Sequence, residues 1–134
     1  MRDGRTRKLE VMERDESFDA FLSKWRAIVV ILSGGAEGTE FELNQPNVSM
    51  GRGSEAHWKF SDEAMSKEHA ALEFTNGGIR LRDLGSMNGT RLNDSDVKAA
   101  DLKNGDRFQL GQHVFQFVLE KRPRKPRTYI LPDE

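Results

Sequence analysis

Ala70-Ala71-Leu72-Glu73-Phe74-Thr75-Asn76-Gly77-Gly78-Ile79-Arg80-Leu81-Arg82 decides the fold class. Apolar and polar residues alternate on both sides of Asn76-Gly77-Gly78. Period two marks a strand with one buried and one wet face. Asn-Gly is a strong hairpin signal, because both central residues of the tight turn need positive φ. Ala70, Leu72 and Phe74 share one face, and Ile79 and Leu81 continue it after the turn.

Outward from this hairpin the same period recurs. Ile28 to Leu32 is a continuous apolar run that suits a buried strand, and Ser33-Gly34-Gly35 ends it with a turn. Phe41 and Leu43 alternate with Glu40, Glu42 and Asn44. Phe108 and Leu110 form another pair, and Phe115, Phe117 and Leu119 close the series. Many short strands punctuated by turns predict an all-β, antiparallel sandwich or barrel. Before it, Phe18, Phe21, Leu22 and Trp25 fall on one helical face, with Asp15 or Ser17 as the cap. That spacing predicts a short N-terminal helix, either docked on the domain or offered to a partner. The chain divides into a basic N-terminal segment with this helix (1–24), a β domain (25–120) and a basic, Pro-containing tail (121–134). The prolines of that tail forbid helix and disfavour a central strand.

Composition narrows the function. The 134 residues fit one domain with short tails, and 32% of them are charged against 36% hydrophobic. A formal net charge of −1 gives no global pull toward nucleic acid or acidic lipid. Nucleic-acid binding by the tail is a weak reading, since no aromatics interleave its basic residues. Cysteine is absent, which removes disulfides and thiolate metal sites and suits a reducing compartment. No apolar run is long enough for a signal peptide core or a membrane span, so the expectation is a cytoplasmic protein.

Three short clusters carry chemistry: Gly51-Arg52, Ser66-Lys67-Glu68-His69 and Ser86-Met87-Asn88-Gly89-Thr90. They hold one fixed cation, several hydroxyl and amide donors and little acid-base apparatus. Such a set suits gripping a phosphate rather than breaking a bond. A Ser66–His69 nucleophile pair is rejected on the expectation that Ser66 opens a strand, where residues three apart face opposite sides. His57 and His113 have no ligand spacing around them, so no metal is expected.

Leu81-Arg82-Asp83-Leu84-Gly85-Ser86-Met87-Asn88-Gly89-Thr90 and Leu102-Lys103-Asn104-Gly105-Asp106-Arg107-Phe108-Gln109-Leu110-Gly111 resemble two motifs of the forkhead-associated (FHA) domain. With Gly51-Arg52 and Ser66-x-x-His69 they match in order and spacing from about Phe41 to Val118. The resemblance implies an FHA/SMAD-like β-sandwich of about eleven strands that binds phosphothreonine peptides through loops at one end, without catalysis and without a cofactor.

The phosphate carries about −1.5 to −2 charges and three acceptor oxygens. Arg52 offers a planar fork to it, and Ser66 offers an orientable hydroxyl. Lys67 adds a second cation or points to solvent. Asn88 suits pairing with the peptide backbone. Gly51 allows close approach or an unusual φ. His69 holds the binding loops, as the resemblance implies, with Ser86, Gly89, Thr90 and Asp83 as braces. Met87 departs from the family, which often has a hydroxyl residue there. Its absence weakens the grip, unless a backbone N–H of the loop substitutes; Met87 also offers an apolar contact to the peptide. A preference for threonine over serine is implied by the resemblance alone. The other reading is a constitutive scaffold that assembles through the helix. Thr128, after a basic stretch, and Thr6 are candidate phosphorylation sites, which would make the domain's own tail or a sister chain a partner.

Overall fold

In the computed structural model the described residues are 17–123. The helix is α1, Phe18–Lys24. Ser17 caps it, its Oγ accepting the Ala20 N–H at 3.0 Å, while Asp15 lies outside the described residues. The β-branched run Ile28-Val29-Val30-Ile31 then favours extended chain, and β1 runs Trp25–Ser33. The other strands are β2 Glu40–Glu42, β3 Asn47–Gly51, β4 Trp58–Lys59, β5 Ala70–Thr75, β6 Gly78–Asp83, β7 Thr90–Leu92, β8 Ser95–Val97, β9 Ala99–Asp101, β10 Arg107–Leu110 and β11 His113–Lys121.

Two sheets face each other. One has the order β2-β1-β11-β10-β7-β8 and the other β4-β3-β5-β6-β9. Pairing is antiparallel except between β3 and β4, which run parallel. The β5–β6 hairpin turns at Asn76 and Gly77, whose φ values are +53° and +79°. Leu72, Leu81, Val48 and Met50 from one sheet meet Val29, Phe108, Leu110, Phe115 and Phe117 from the other in the buried core.

Alternation puts one face inside along β3, β6, β10 and β11, while β1 and β5 carry continuous buried stretches at Ala27–Val29 and Ala70–Leu72. The polar outer face is laced by cross-strand pairs such as Arg82–Glu73 and Arg80–Asp101.

The two ends of the sandwich differ in what they carry. β1 and β11 pair from Trp25↔Lys121 to Ser33↔Val114. Where that ladder begins, the backbone N–H of Arg122 donates to the Lys24 carbonyl. Phe18 and Phe21 of α1 pack on Phe74 there, with ring centroids 5.4 and 5.2 Å apart. The helix is therefore docked on its own domain. The other end gathers the β3–β4, β4–β5 and β6–β7 loops and the β10–β11 turn.

Candidate functional site

Three loops converge at that second end. The end of β3 and the chain after it run beside residues 66 and 67. The Arg52 N–H donates to the Ser66 carbonyl and the Gly53 N–H to the Lys67 carbonyl, both at 3.1 Å. A Cβ on Gly51 would sit 2.0 Å from the Lys67 oxygen. The glycine is therefore required by close backbone approach, and its φ is not in the left-handed region. Gly53 is needed for the same reason, since a Cβ there would come within 2.9 Å of the Lys67 side chain.

Ser66 lies in the β4–β5 loop, four residues before β5 begins, not at the start of a strand. The turn that opens at Asp62 makes the difference: the Met65 N–H donates to the Asp62 carbonyl and the chain stays curved through Glu68. In that curve the Ser66 N–H donates to His69 Nδ1 at 3.0 Å.

A backbone N–H only donates, so Nδ1 is the acceptor nitrogen of His69. The proton then sits on Nε2, which donates to the Gly89 carbonyl at 2.7 Å. His69 is fully buried and joins two loops through both ring nitrogens. The strand argument against a Ser66–His69 pair therefore fails in its premise. The pair still has no nucleophile–base bond, because both nitrogens are engaged with backbone.

The Ser66 Oγ accepts the Met87 N–H at 2.9 Å. A hydroxyl that accepts in this way keeps its proton free to donate elsewhere. The Met87 N–H is committed to this bond and does not replace a missing hydroxyl at position 87. The Met87 side chain is 85% exposed and stands beside the grip. Asn88, also exposed, donates from Nδ2 to the Ala64 carbonyl at 2.8 Å. This anchors its amide plane and leaves Oδ1 and the second N–H outward. Neither the Lys67 nor the Asn88 backbone N–H has an acceptor among the described residues.

Charge separates Arg52 from most of the arginines. Arg26, Arg80, Arg82, Arg91 and Arg122 each have an acidic partner. The exposed guanidinium of Arg52 has neither ion pair nor hydrogen bond among the described residues, and the ammonium of Lys67 has none either. Both uncompensated cations belong to residues adjoining Ser66: Arg52 bonds its carbonyl through the backbone, and Lys67 follows it in the chain.

The β6–β7 loop is built around one carboxylate. Asp83 Oδ2 accepts the Gly85 and Ser86 N–H groups at 2.9 and 3.1 Å. Its Oδ1 accepts the Ser86 and Thr90 hydroxyls at 2.6 and 2.7 Å. Ser86 Oγ in turn accepts the Gly89 N–H. Partial burial pushes the Asp83 carboxyl up, but these hydroxyls and N–H groups outweigh it and hold it below the usual carboxylate range. Ser86, Gly89 and Thr90 are therefore parts of one brace, and Gly89 takes the φ of +84° that the turn needs.

Sequence reading missed Gly53, Asp62, the Ala64 carbonyl and the pairing of His113. Only Gly53 left a signal, in the repeated glycines of Gly51-Arg52-Gly53.

Residues 30–121 match the family model described as the inner membrane component of the type III secretion system, cytoplasmic domain, which is a domain of FHA type. The chain belongs to this forkhead-associated family. The glycogen accumulation regulator GarA of Mycolicibacterium smegmatis is 35% identical to the FHA chain over 92 residues, 69% of this chain and 58% of the relative. The oxoglutarate dehydrogenase inhibitor of Corynebacterium glutamicum is 32% identical over 92 residues, 69% of this chain and 64% of the relative. The chain spans less than two thirds of the length of these curated relatives.

Among solved structures, the FhaA FHA domain complexed with the intracellular domain of Rv3910 aligns with a TM-score of 0.62 at 26% identity. It covers 68% of this chain and 98% of that one. A structure from a study of phosphothreonine-dependent FHA domain interactions aligns with a TM-score of 0.63 at 25% identity, covering 74% and 99%. The fold is thus an FHA β-sandwich with a short N-terminal helix.

Proposed function

We propose that this chain is a phosphothreonine-peptide binding module that recognises targets of Ser/Thr kinases and performs no catalysis. The observation that carries the reading is an Arg52 with an unpaired guanidinium, bonded through its backbone to Ser66, whose hydroxyl keeps its proton free. In this reading Arg52 and Ser66 grip the phosphate, Lys67 adds charge, and Asn88 bonds the peptide backbone. Met87 lies against a neighbouring peptide side chain. Gly51, His69, Ser86, Gly89 and Thr90 hold the loops in place. The complete engagement of His69 supports binding over hydrolysis. A solved FHA neighbour with 25% identity was studied for phosphothreonine-dependent interactions, which supports this reading. We place the activity in the cytoplasm, as the description of the matching family model suggests; no described helix is long and apolar enough to cross a membrane.

A fluorescent phosphothreonine peptide titrated against its unphosphorylated and phosphoserine forms tests this. Binding only of phosphorylated forms, tightest for threonine, is expected, and equal binding of the unphosphorylated peptide contradicts it. The scaffold reading is less favoured because the aromatic face of α1 is occupied by Phe74 of the same domain.

Thr6 and Thr128 lie outside the described residues, and chain length bears on both as self-targets. β11 leads away from the site end for about 26 Å at about 3.3 Å per residue. Thr128 is six positions past Arg122, a reach of at most about 21 Å. The main chain up to it covers less than the length of β11, which favours the site of a sister chain. Thr6, eleven positions before Ser17, commands about 39 Å and reaches within one chain. Phosphorylated chain carrying only Thr128 should therefore gain mass in solution with concentration. Chain carrying only Thr6 should stay monomeric.

A further inference from the structure

The loop that carries Ser66 is held from behind by a buried pair that touches no part of the proposed grip. Asp62 Oδ2 lies 2.7 Å from His113 Nδ1, and the two side chains are 1% and 5% exposed. The same Oδ2 accepts the Gln112 N–H at 2.8 Å, and Oδ1 accepts the Ala64 N–H at 2.9 Å. Three donors converge on one carboxylate. Burial pushes Asp62 up, but the bonds from His113, Gln112 and Ala64 hold it below the usual range. An ionised carboxylate only accepts, so the His113 proton sits on Nδ1 and is donated. The imidazole packs against Phe60 and Phe115, with centroids 5.4 and 5.8 Å away. Gly111, at φ +61°, brings the β10–β11 turn so close that a Cβ there would lie 2.8 Å from Asp62 Oδ2 and 2.9 Å from the Met65 nitrogen.

Two short paths lead from this pair to the site. Ala64 is fixed by Asp62 through its N–H and receives the Asn88 amide on its carbonyl. Two residues on, the Ser66 hydroxyl receives the Met87 N–H. Replacing both partners of a buried hydrogen bond by apolar groups of the same shape can be nearly neutral, so stability alone is a weak reason for this one. We propose that Asp62 and His113 are positioning residues for phosphothreonine recognition. They fix the 62–66 loop against the β10–β11 turn, so that the Ser66 hydroxyl and the Asn88 amide face one ligand. The inference rests on the binding reading above.

The test uses the full chain with His113→Phe, which keeps a ring between Phe60 and Phe115 but removes the donor, and His113→Asn, which restores a donor near Nδ1. The readouts are the NMR signals of the Met87 backbone amide and the Asn88 side-chain amide in the free protein, and affinity for a phosphothreonine peptide. His113→Phe should move both signals and weaken binding about tenfold, about 1.4 kcal/mol, at a temperature where circular dichroism shows it folded. His113→Asn should recover most of that affinity. Unmoved signals, or wild-type affinity, in His113→Phe overturn the proposal. Should His113→Phe not fold, Asp62→Asn is judged by the same two readouts. A wild-type chain that binds no phosphothreonine peptide would sink the binding reading, and the amide signals would still decide whether the pair positions the loop.

Discussion

The two ends of the sandwich are built from different interactions. At the end where β1 and β11 begin and finish their ladder, α1 is held by aromatic packing among Phe18, Phe21 and Phe74. At the loop end, position is set by hydrogen bonds: His69 between Ser66 and Gly89, Asp83 inside the β6–β7 loop, and Asp62 with His113. Apolar packing is proportional to area and tolerant of small shifts. Hydrogen bonds fix direction and length. The contrast is one of kind: aromatic packing holds the helix at one end, while at the other directed bonds fix polar loops above the buried Met65 and Phe60.

The largest expected break lies at the apolar end. Phe21→Ala should cost about 3–5 kcal/mol of stability, seen as a lower denaturation midpoint, while phosphopeptide affinity measured on the folded protein stays within a factor of two to three. Asp83→Ala strikes the polar end and should couple the two properties. It leaves the Ser86 and Thr90 hydroxyls and two N–H groups without their acceptor, at about 3 kcal/mol, with affinity falling as well. A loss of stability with unchanged affinity would show that the β6–β7 loop does not depend on its carboxylate.

Acid should sharpen the same division. Asp62 and Asp83 are both depressed in the folded state. Their contribution is therefore complete above the unfolded carboxylate value of about 3.9 and is lost as pH falls through the lower folded values. A denaturation series below about pH 4 should show stability falling with acid. Asp83→Asn should have a shallower acid limb than wild type, whereas Phe21→Ala should keep the wild-type slope.

The smallest effect is expected at Met87, whose exposed side chain gives up little packing when replaced. Met87→Ser adds a hydroxyl beside the grip and should tighten phosphothreonine peptide binding by about 1 kcal/mol, with no change in melting temperature. An unchanged or weaker affinity would mean that Met87 makes an apolar contact worth as much as the bond it displaces.

Legibility followed the range of the interaction. β1 was readable as a continuous apolar run, and the β5–β6 hairpin, β10 and β11 because each holds enough alternation to show a period of two. β4 has only two residues, and β7, β8 and β9 have three each, too few for any period. α1 was readable from Phe18, Phe21 and Leu22 on one face; Trp25, read as the fourth position of that face, instead starts β1 in extended conformation. At the site, Arg52, Ser66, His69 and Asn88 stand in local motifs, so their presence was visible although their bonds were not. Ser66 was placed on a strand because nothing in Ser66-Lys67-Glu68-His69 reveals the turn that Asp62 starts. The Asp62–His113 contact joins positions 51 apart, and only the folded topology brings them together. Gly51 was read as permissive, and the structure supplies the reason, the Lys67 carbonyl pressed against its Cα.

The most direct test of the central claim is a paired titration and melt of Arg52→Ala. The guanidinium is exposed and has no partner among the described residues, so the melting temperature should match wild type. Affinity for a phosphothreonine peptide should fall by about 2–5 kcal/mol, to the level of the unphosphorylated peptide. Retained phosphopeptide affinity in a folded Arg52→Ala protein would contradict the account.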